Sequence, residues 1–284
     1  MSAGMRLGVQ DRSLEGRSLE EKWRFATALG FDGIELRGGP EFADRLDELR
    51  RARRAGVVMP SVCVAMDHFI GDFDEEKRRD AIQVMKTLLS VIVEAGGFGA
   101  ITPASFGMFS KRMSRSEPPR SAEEDRAVLL EALAELGDHA QRVGGVLLLE
   151  PLNRYEDYMV NTLADGASLV REIGLPTVRL MADTFHMNIE EADPADSLRR
   201  HADVLGHVQV ADSNRLEPGA GHYDWNGTVS ALEEIGYQGW LVLECRLLSG
   251  PPSVALPLSR QSSEGAGLTG RSPIRTAGSV AATG

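Results

Sequence analysis

The chain is poor in cysteine, in aromatic side chains, in long apolar runs and in positive charge, and each shortage closes off a class of protein. Its two cysteines, Cys63 and Cys245, lie in separate apolar stretches, which fits buried free thiols better than a disulfide framework or a thiolate metal site. No apolar run approaches the ~18 residues a membrane span requires. The opening MSAGMRLGVQ lacks the basic-then-apolar order of a signal peptide, so the cytoplasm is the expected compartment. Acidic residues outnumber basic ones 42 to 31, a net charge of −11, which argues against a surface made for nucleic-acid phosphates or an anionic membrane. Neither GxGxxG after the first strand-like run nor a Walker-type loop is found, so the usual signatures of nucleotide-binding open sheets are missing. What remains is an ordinary globular composition, with 42% hydrophobic, 26% charged and 6% aromatic residues in 284.

That composition is arranged in a regular alternation. MRLGV reads as a strand, Ser18 to Leu29 as a helix opened by Ser-Leu-Glu-Glu, and FDGIEL as a second strand after the Gly30 stop. A helix from Glu41 to Ala55, strand MPSVCV, helix Glu75 to Ala95 and strand GAITP follow. Then come helix Ala122 to Val143, strand GVLLLE, helix Leu163 to Ile173, strand TVRLMAD and a helix near Pro194 to Ala202. Strand LGHVQV, helix Asn226 to Ile235 and strand GWLVLE complete the series. Alternating strands and helices imply parallel βαβ units, and eight of them predict a closed (β/α)8 barrel, an α/β TIM barrel occupying residues 1–250. Strand order is not legible in the sequence, so an open parallel sheet is the alternative. Residues 251–284 are rich in Gly, Pro, Ser and Thr without an apolar period. They are expected to be irregular, with a turn at most from Ser253 to Arg260, interrupted by Pro257, and disorder from Gly265 to Gly284. Lack of a closing helix would leave apolar surface on the first and eighth strands exposed.

Active sites of such barrels lie at the C-terminal ends of the strands. In the second half those ends carry Glu150 after VLLL, Asp183 after RLMA, His207 and Gln209 within GHVQV, and Glu244 after WLVL. A lone acid at a strand end is ordinarily a solvated loop start or a helix cap. Four successive strands ending in polar groups are different: without a cation three converging carboxylates repel and their pKa values rise. An oxygen-rich set of Glu150, Asp183, Gln209 and Glu244 suits Mn²⁺ or Mg²⁺, with Co²⁺ tolerated, better than Zn²⁺. His207 and Gln209 share one strand face, with Gln209 nearer the tip as the ligand and His207 as its supporting partner. Glu35 and His68 are expected either to reach the mouth from the first half or to serve a structural role. The runs LRRARRAG and EEKRRD are most simply solvated helix faces.

The stretches EPLNRYE, ADTFHMNIEE, GHVQVADSNRLEPGAGH and GYQGWLVLE resemble, in order, the successive motifs of the sugar isomerase and epimerase barrels similar to xylose isomerase, in particular the ketose 3-epimerase and hydroxypyruvate isomerase branch. The resemblance is specific from Val146 to Glu244. It implies metal-ligand positions at Glu150, Asp183 and Glu244, and positions holding sugar oxygens at Glu156, His186 and Arg215. Where the 3-epimerases have a His on the seventh strand this chain has Gln209, as the hydroxypyruvate isomerase type does. The implied substrate is a small sugar or hydroxy-keto acid, and a homodimer or homotetramer is the expected assembly. The reaction would move a proton on the carbon beside a carbonyl through an enediolate, with Glu150 and Glu244 facing each other as acid and base. A ketose 3-epimerase activity is the leading expectation, with hydroxypyruvate, inosose or sugar-phosphate isomerisation as alternatives. A DNA-repair nuclease on the same barrel would need three zinc ions, more than the six His present and a basic groove. A sugar-binding barrel without turnover is the remaining rival.

Overall fold

The alternation read from the sequence closes into a ring. The computed structural model describes residues 4–107 and 118–257, and in it eight parallel strands pair in chain order, β1 with β2 and so on to β8, which pairs back with β1. The strands are β1 Arg6–Gln10, β2 Gly33–Gly38, β3 Ser61–Val64, β4 Gly99–Pro103, β5 Val146–Glu150, β6 Val178–Asp183, β7 Leu205–Val210 and β8 Trp240–Leu243. Successive side chains on a strand point to opposite faces, so each strand feeds two interiors. Leu147 and Leu149 of β5, Leu180 and Ala182 of β6, and Leu241 and Leu243 of β8 face outward into the large core shared with the helices. The alternate set, Cys63, Ile101, Leu148 and Met181, forms a separate small apolar cluster inside the barrel.

Near the start of the strands the interior is fitted around one large ring. Trp240, 3% exposed, points inward and lies over Gly8 of β1 and Gly33 of β2, and the Arg6 guanidinium sits 4.4 Å from the ring centroid. Gly33 has no room for a side chain: a Cβ there would meet two Trp240 ring carbons at 2.6 Å. The Gly33→Ala substitution is therefore expected to destabilise the fold by about 1–3 kcal/mol through overpacking, read as a lower denaturation midpoint at unchanged slope.

The helices start and stop where local chemistry dictates. They are α1 Leu19–Ala28, α2 Leu46–Arg54, α3 Glu75–Glu94, α4 Ala122–Val143, α5 Leu163–Ile173, α6 Thr184–Glu190, α7 Pro194–Arg200 and α8 Trp225–Glu234. Reciprocal capping boxes open α4, Ser121 with Glu124, and α5, Thr162 with Asp165. Both end on a left-handed glycine, Gly144 at φ 78° and Gly174 at φ 67°, a conformation that suits glycine alone without strain.

Three local expectations are corrected. The predicted helix from Glu41 to Ala55 is a 3-10 segment, Pro40–Arg45, followed by α2. The short helix α6 was not anticipated, because it follows β6 without a linker and Asp183 itself caps it. Beyond β8 the chain is helical over 252–257, more than the turn expected there, and it buries Ala255 and Leu256 completely, Leu256 within the main core. Outward residues of β1 and β8 are not left exposed: Leu7 is 3% and Leu241 0% accessible. The disorder expected for Gly265 to Gly284 lies outside the described residues. No helix among the described residues is long and apolar enough to cross a membrane.

Candidate active site

The strand ends place acids at the mouth because period two fixes which residue turns inward. On β5, Leu147 and Leu149 are claimed by the outer core, so Leu148 and Glu150 face in, and Glu150 is buried. The same parity turns Asp183 inward on β6, and brings Glu244 in just past the end of β8. Asp183 performs two tasks with one carboxylate: Oδ1 accepts the Phe185 backbone N–H at 2.8 Å, capping α6, and Oδ2 accepts from Arg215 at 2.9 Å.

Capping α6 in turn delivers His186. Its Nδ1 accepts the Asn153 backbone N–H at 3.0 Å, and its Nε2 faces the Arg215 guanidinium, with Nη1 at 3.1 Å. The same Nε2 stands 3.7 Å from Glu150 Oε1 and 3.6 Å from Asp183 Oδ2. Glu150, Asp183 and His186 thereby each offer a ligand atom within 4.8 Å of the others, a set able to hold a metal ion.

Beneath this cluster lies a buried polar network centred on Glu35. Because β2 runs on to Gly38, Glu35 is not at the strand tip as the sequence suggested but inside the barrel. Its Oε1 accepts from Gln10 at 3.1 Å and Gln209 at 2.5 Å, and its Oε2 from Ser61 at 2.7 Å and His207 at 2.9 Å. Gln209 pairs in register with Asp183. With its amide nitrogen held by Glu35, the Gln209 Oε1 is its free end, and this buried oxygen has no hydrogen-bond partner. An oxygen acceptor without a partner, level with Asp183, is the donor chemistry a hard cation seeks. His207 and Glu35 thus work from behind, fixing how Gln209 points.

Arg215 supplies positive charge above the acids. It donates to Asp183 and, through Nη2, to Glu244 Oε2 at 3.0 Å, while Arg12 donates to Glu244 Oε1 at 3.3 Å. Arg215 is the one non-glycine described residue with positive φ, 62°. The loop that imposes this is pinned by Asp212, whose carboxylate accepts the backbone N–H groups of Ser213, Gly219 and Tyr223 and the Trp225 indole N–H. Glu217 ties the same loop to the segment after β8 through the backbone N–H groups of Leu248 and Ser249.

Electrostatics follow from burial. Burial, then the charges of Glu244 and Asp183, push the Glu150 carboxyl well above its ordinary pKa. Burial also raises Asp183, with Arg215 opposing, and raises Glu244 to about 7, again against Arg215. Burial and the Arg215 charge hold His186 neutral, its pKa lowered to about 3. Glu35 goes the other way: burial alone would raise it, but hydrogen bonds from His207, Gln10 and Ser61 prevail and lower it.

Direct contacts thus join Glu150, Asp183, His186, Arg215 and Glu244, while Gln209 and His207 bind Glu35, and Gln209 is related to the acids by its register with Asp183. Glu156 lines the same cavity, of about 970 Å³, without a hydrogen bond from its side chain among the described contacts. His68 also lines it but is engaged by Asp80 at 2.6 Å. Sequence reasoning passed over Arg12, Asn153 and Asp212. Arg12 and Asp212 each lie two residues past a strand end, beyond the tip positions that the strand pattern marks.

Comparison with known proteins places this arrangement. A family model described as a xylose isomerase-like TIM barrel matches residues 23–262. Over 252 residues the chain is 37% identical to the 3-dehydro-D-guloside 4-epimerase of Escherichia coli strain K12, covering 88% of this chain and 96% of that one. It is 34% identical over 238 residues to the D-psicose 3-epimerase of Enterocloster bolteae, covering 79% of this chain and 75% of that one. The crystal structure of E. coli 3-keto-D-glucoside 4-epimerase in its apo form superposes with a TM-score of 0.86 at 35% identity, covering 92% of this chain and 99% of that one.

Proposed function

The chain belongs to the xylose isomerase-like TIM-barrel family, and from that premise we propose that it is a divalent-metal-dependent sugar epimerase that inverts a carbon next to a carbonyl. One observation carries the reading: three buried carboxylates, Glu150, Asp183 and Glu244, are joined through a neutral His186 and Arg215, with the unpartnered oxygen of Gln209 on a strand position in register with Asp183. Glu150, Asp183, Gln209 and Glu244, with His186 adjacent, fit a hard cation, Mn²⁺ or Mg²⁺, with Co²⁺ tolerated. When bound, such an ion supplies positive charge where the substrate oxygen becomes anionic.

The protein's own groups do the rest. Inversion needs a proton removed from one face of a carbon and returned on the other, so two groups are required. Glu150 and Glu244 enter from β5 and β8, three places apart in the eight-strand ring. Both carboxyl groups line the cavity, where a positioned carboxyl can work as base and, once protonated, as acid. His186 lines the cavity beside Glu150 and Asp183, within reach of a substrate oxygen bound there. Arg215 and Glu156 hold hydroxyls farther along the sugar. Arg215→Ala is expected to raise KM about tenfold or more, the loss of one charge-assisted hydrogen bond, measured in steady-state kinetics.

The inverted carbon is C3 of a ketose or C4 of a 3-keto-glycoside, since both adjoin a carbonyl. A cavity of about 970 Å³ lies at the top of the usual range for small-molecule pockets and favours the larger glycoside. Incubation with Mn²⁺ in D₂O distinguishes the cases: deuterium should appear at the carbon beside the carbonyl of a 3-keto-glycoside, or of a free ketohexose. Binding of both without exchange at either would leave a non-catalytic barrel and refute the proposal.

A further inference from the structure

Three arginines stand together on one side of the mouth. Arg12 follows β1, Arg37 is on β2 and Arg246 follows β8, and those strands are neighbours in the ring. Strand order brings them to one sector of the mouth, Arg12 from the 3-10 turn Asp11–Ser13 that follows β1. Gln10 pairs with Glu35, and Arg12 and Arg37 each lie two residues farther on. Val9 pairs with Leu243, and Arg12 and Arg246 each lie three residues farther on. Arg37 shares the inward parity of Glu35, and all three line the cavity that holds Glu150 and Glu244.

Arg12 uses one guanidinium nitrogen on Glu244. The guanidinium groups of Arg37 and Arg246 have no ion pair or hydrogen bond among the described residues, and both side chains are exposed. Glu41 and Asp67 also line the cavity, yet neither forms an ion pair with these arginines among the described residues. Unneutralised cations grouped at the mouth of a protein whose net charge is −11 run against the general sign of its surface. Planar guanidinium groups recognise planar or tetrahedral oxyanions by paired hydrogen bonds.

We propose that the sugar handled by this site carries an oxyanion, a carboxylate or a phosphate, away from the reacting carbon, and that Arg37 and Arg246 clasp it with Arg12 alongside. The inference rests on the epimerase reading for its chemistry but not for its binding geometry. The oxyanion then lies on the β8–β1–β2 side of the ring, beside Glu244 and away from the apolar side formed by Val64, Phe69 and Phe106.

The test uses the Mn²⁺-loaded full chain with D-fructose, D-fructuronate and D-fructose 6-phosphate, measuring deuterium exchange from D₂O and Kd by calorimetry. At least one of the two anions is expected to exceed D-fructose tenfold or more in kcat/KM for exchange or in affinity, and which one does so separates carboxylate from phosphate. In the double variant Arg37→Gln with Arg246→Gln that ratio should fall at least tenfold, and the corresponding double Lys variant should recover part of it. Raising salt from about 0.05 to about 0.5 M should also shrink the ratio, as screening demands. A wild-type ratio near one in both measurements, or a ratio unmoved by the double Gln variant, would mean that the arginines are merely solvated rim charges and would overturn the proposal. The two readings fail separately. Arginine-dependent binding of an anion without exchange of any sugar refutes the epimerase but keeps the anion site, whereas exchange without anion preference does the reverse.

Discussion

Glu150→Gln is expected to lower isotope exchange at the substrate carbon about 10²–10⁴-fold, the range that one positioned acid–base group contributes. Glutamine keeps the size of the side chain but can neither take nor return the proton. The fold should survive, because Glu150 has no hydrogen-bonded side-chain partner among the described residues, His186 standing 3.7 Å away, and its buried carboxyl resists ionisation. A neutral amide suits such a place. Glu244→Gln should behave similarly in turnover, though it also loses charge opposite Arg12 and Arg215. Measured exchange rates within threefold of the parent chain for either variant would remove the paired-carboxylate mechanism. A second readout separates chemistry from metal retention: Mn²⁺ affinity by calorimetry falls only if the carboxylate is a ligand.

The largest effect on stability is expected at Glu35→Gln. Four donors converge on that carboxylate, from Gln10, Ser61, His207 and Gln209, all within the barrel. An amide offers one oxygen in place of two and turns an NH₂ group toward the remaining donors. Leaving buried donors unsatisfied, and one charged acceptor lost, should cost about 2–5 kcal/mol, seen as a lower midpoint in urea. The same change frees Gln209 to rotate, so Mn²⁺ affinity should drop by about 10–100-fold, the usual penalty for losing the partner that orients a ligand. A variant with parental stability and parental affinity would show that the network does not hold Gln209 in place.

These two positions also mark how far a sequence can be read. Glu150 was visible because an apolar run with strand period ends on it, and the same rule found Asp183 and Glu244. Helices α4 and α5 were placed to the residue because capping pairs and terminal glycines are local signals. Glu35 was ambiguous for the opposite reason. Its meaning depends on residues from β1, β3 and β7, which are brought to it by ring closure rather than by neighbouring sequence. Helix α6 escaped because seven residues starting directly on a strand end carry little period. The double duty of Asp183 was likewise hidden: helix cap and site acid looked like competing explanations, and the two oxygens of one carboxylate satisfy both. Arg12, Arg37 and Arg246 are scattered over more than two hundred positions and meet only through the order of the strands in the ring.

The indole of Trp240 occupies the space that two absent side chains leave on β1 and β2. Gly33 can gain volume only where the indole gives it up, so the two positions are bound to change together. A Gly33→Ala, Trp240→Phe pair is accordingly expected to lose less stability than the two single changes added, as neighbours sharing one space do.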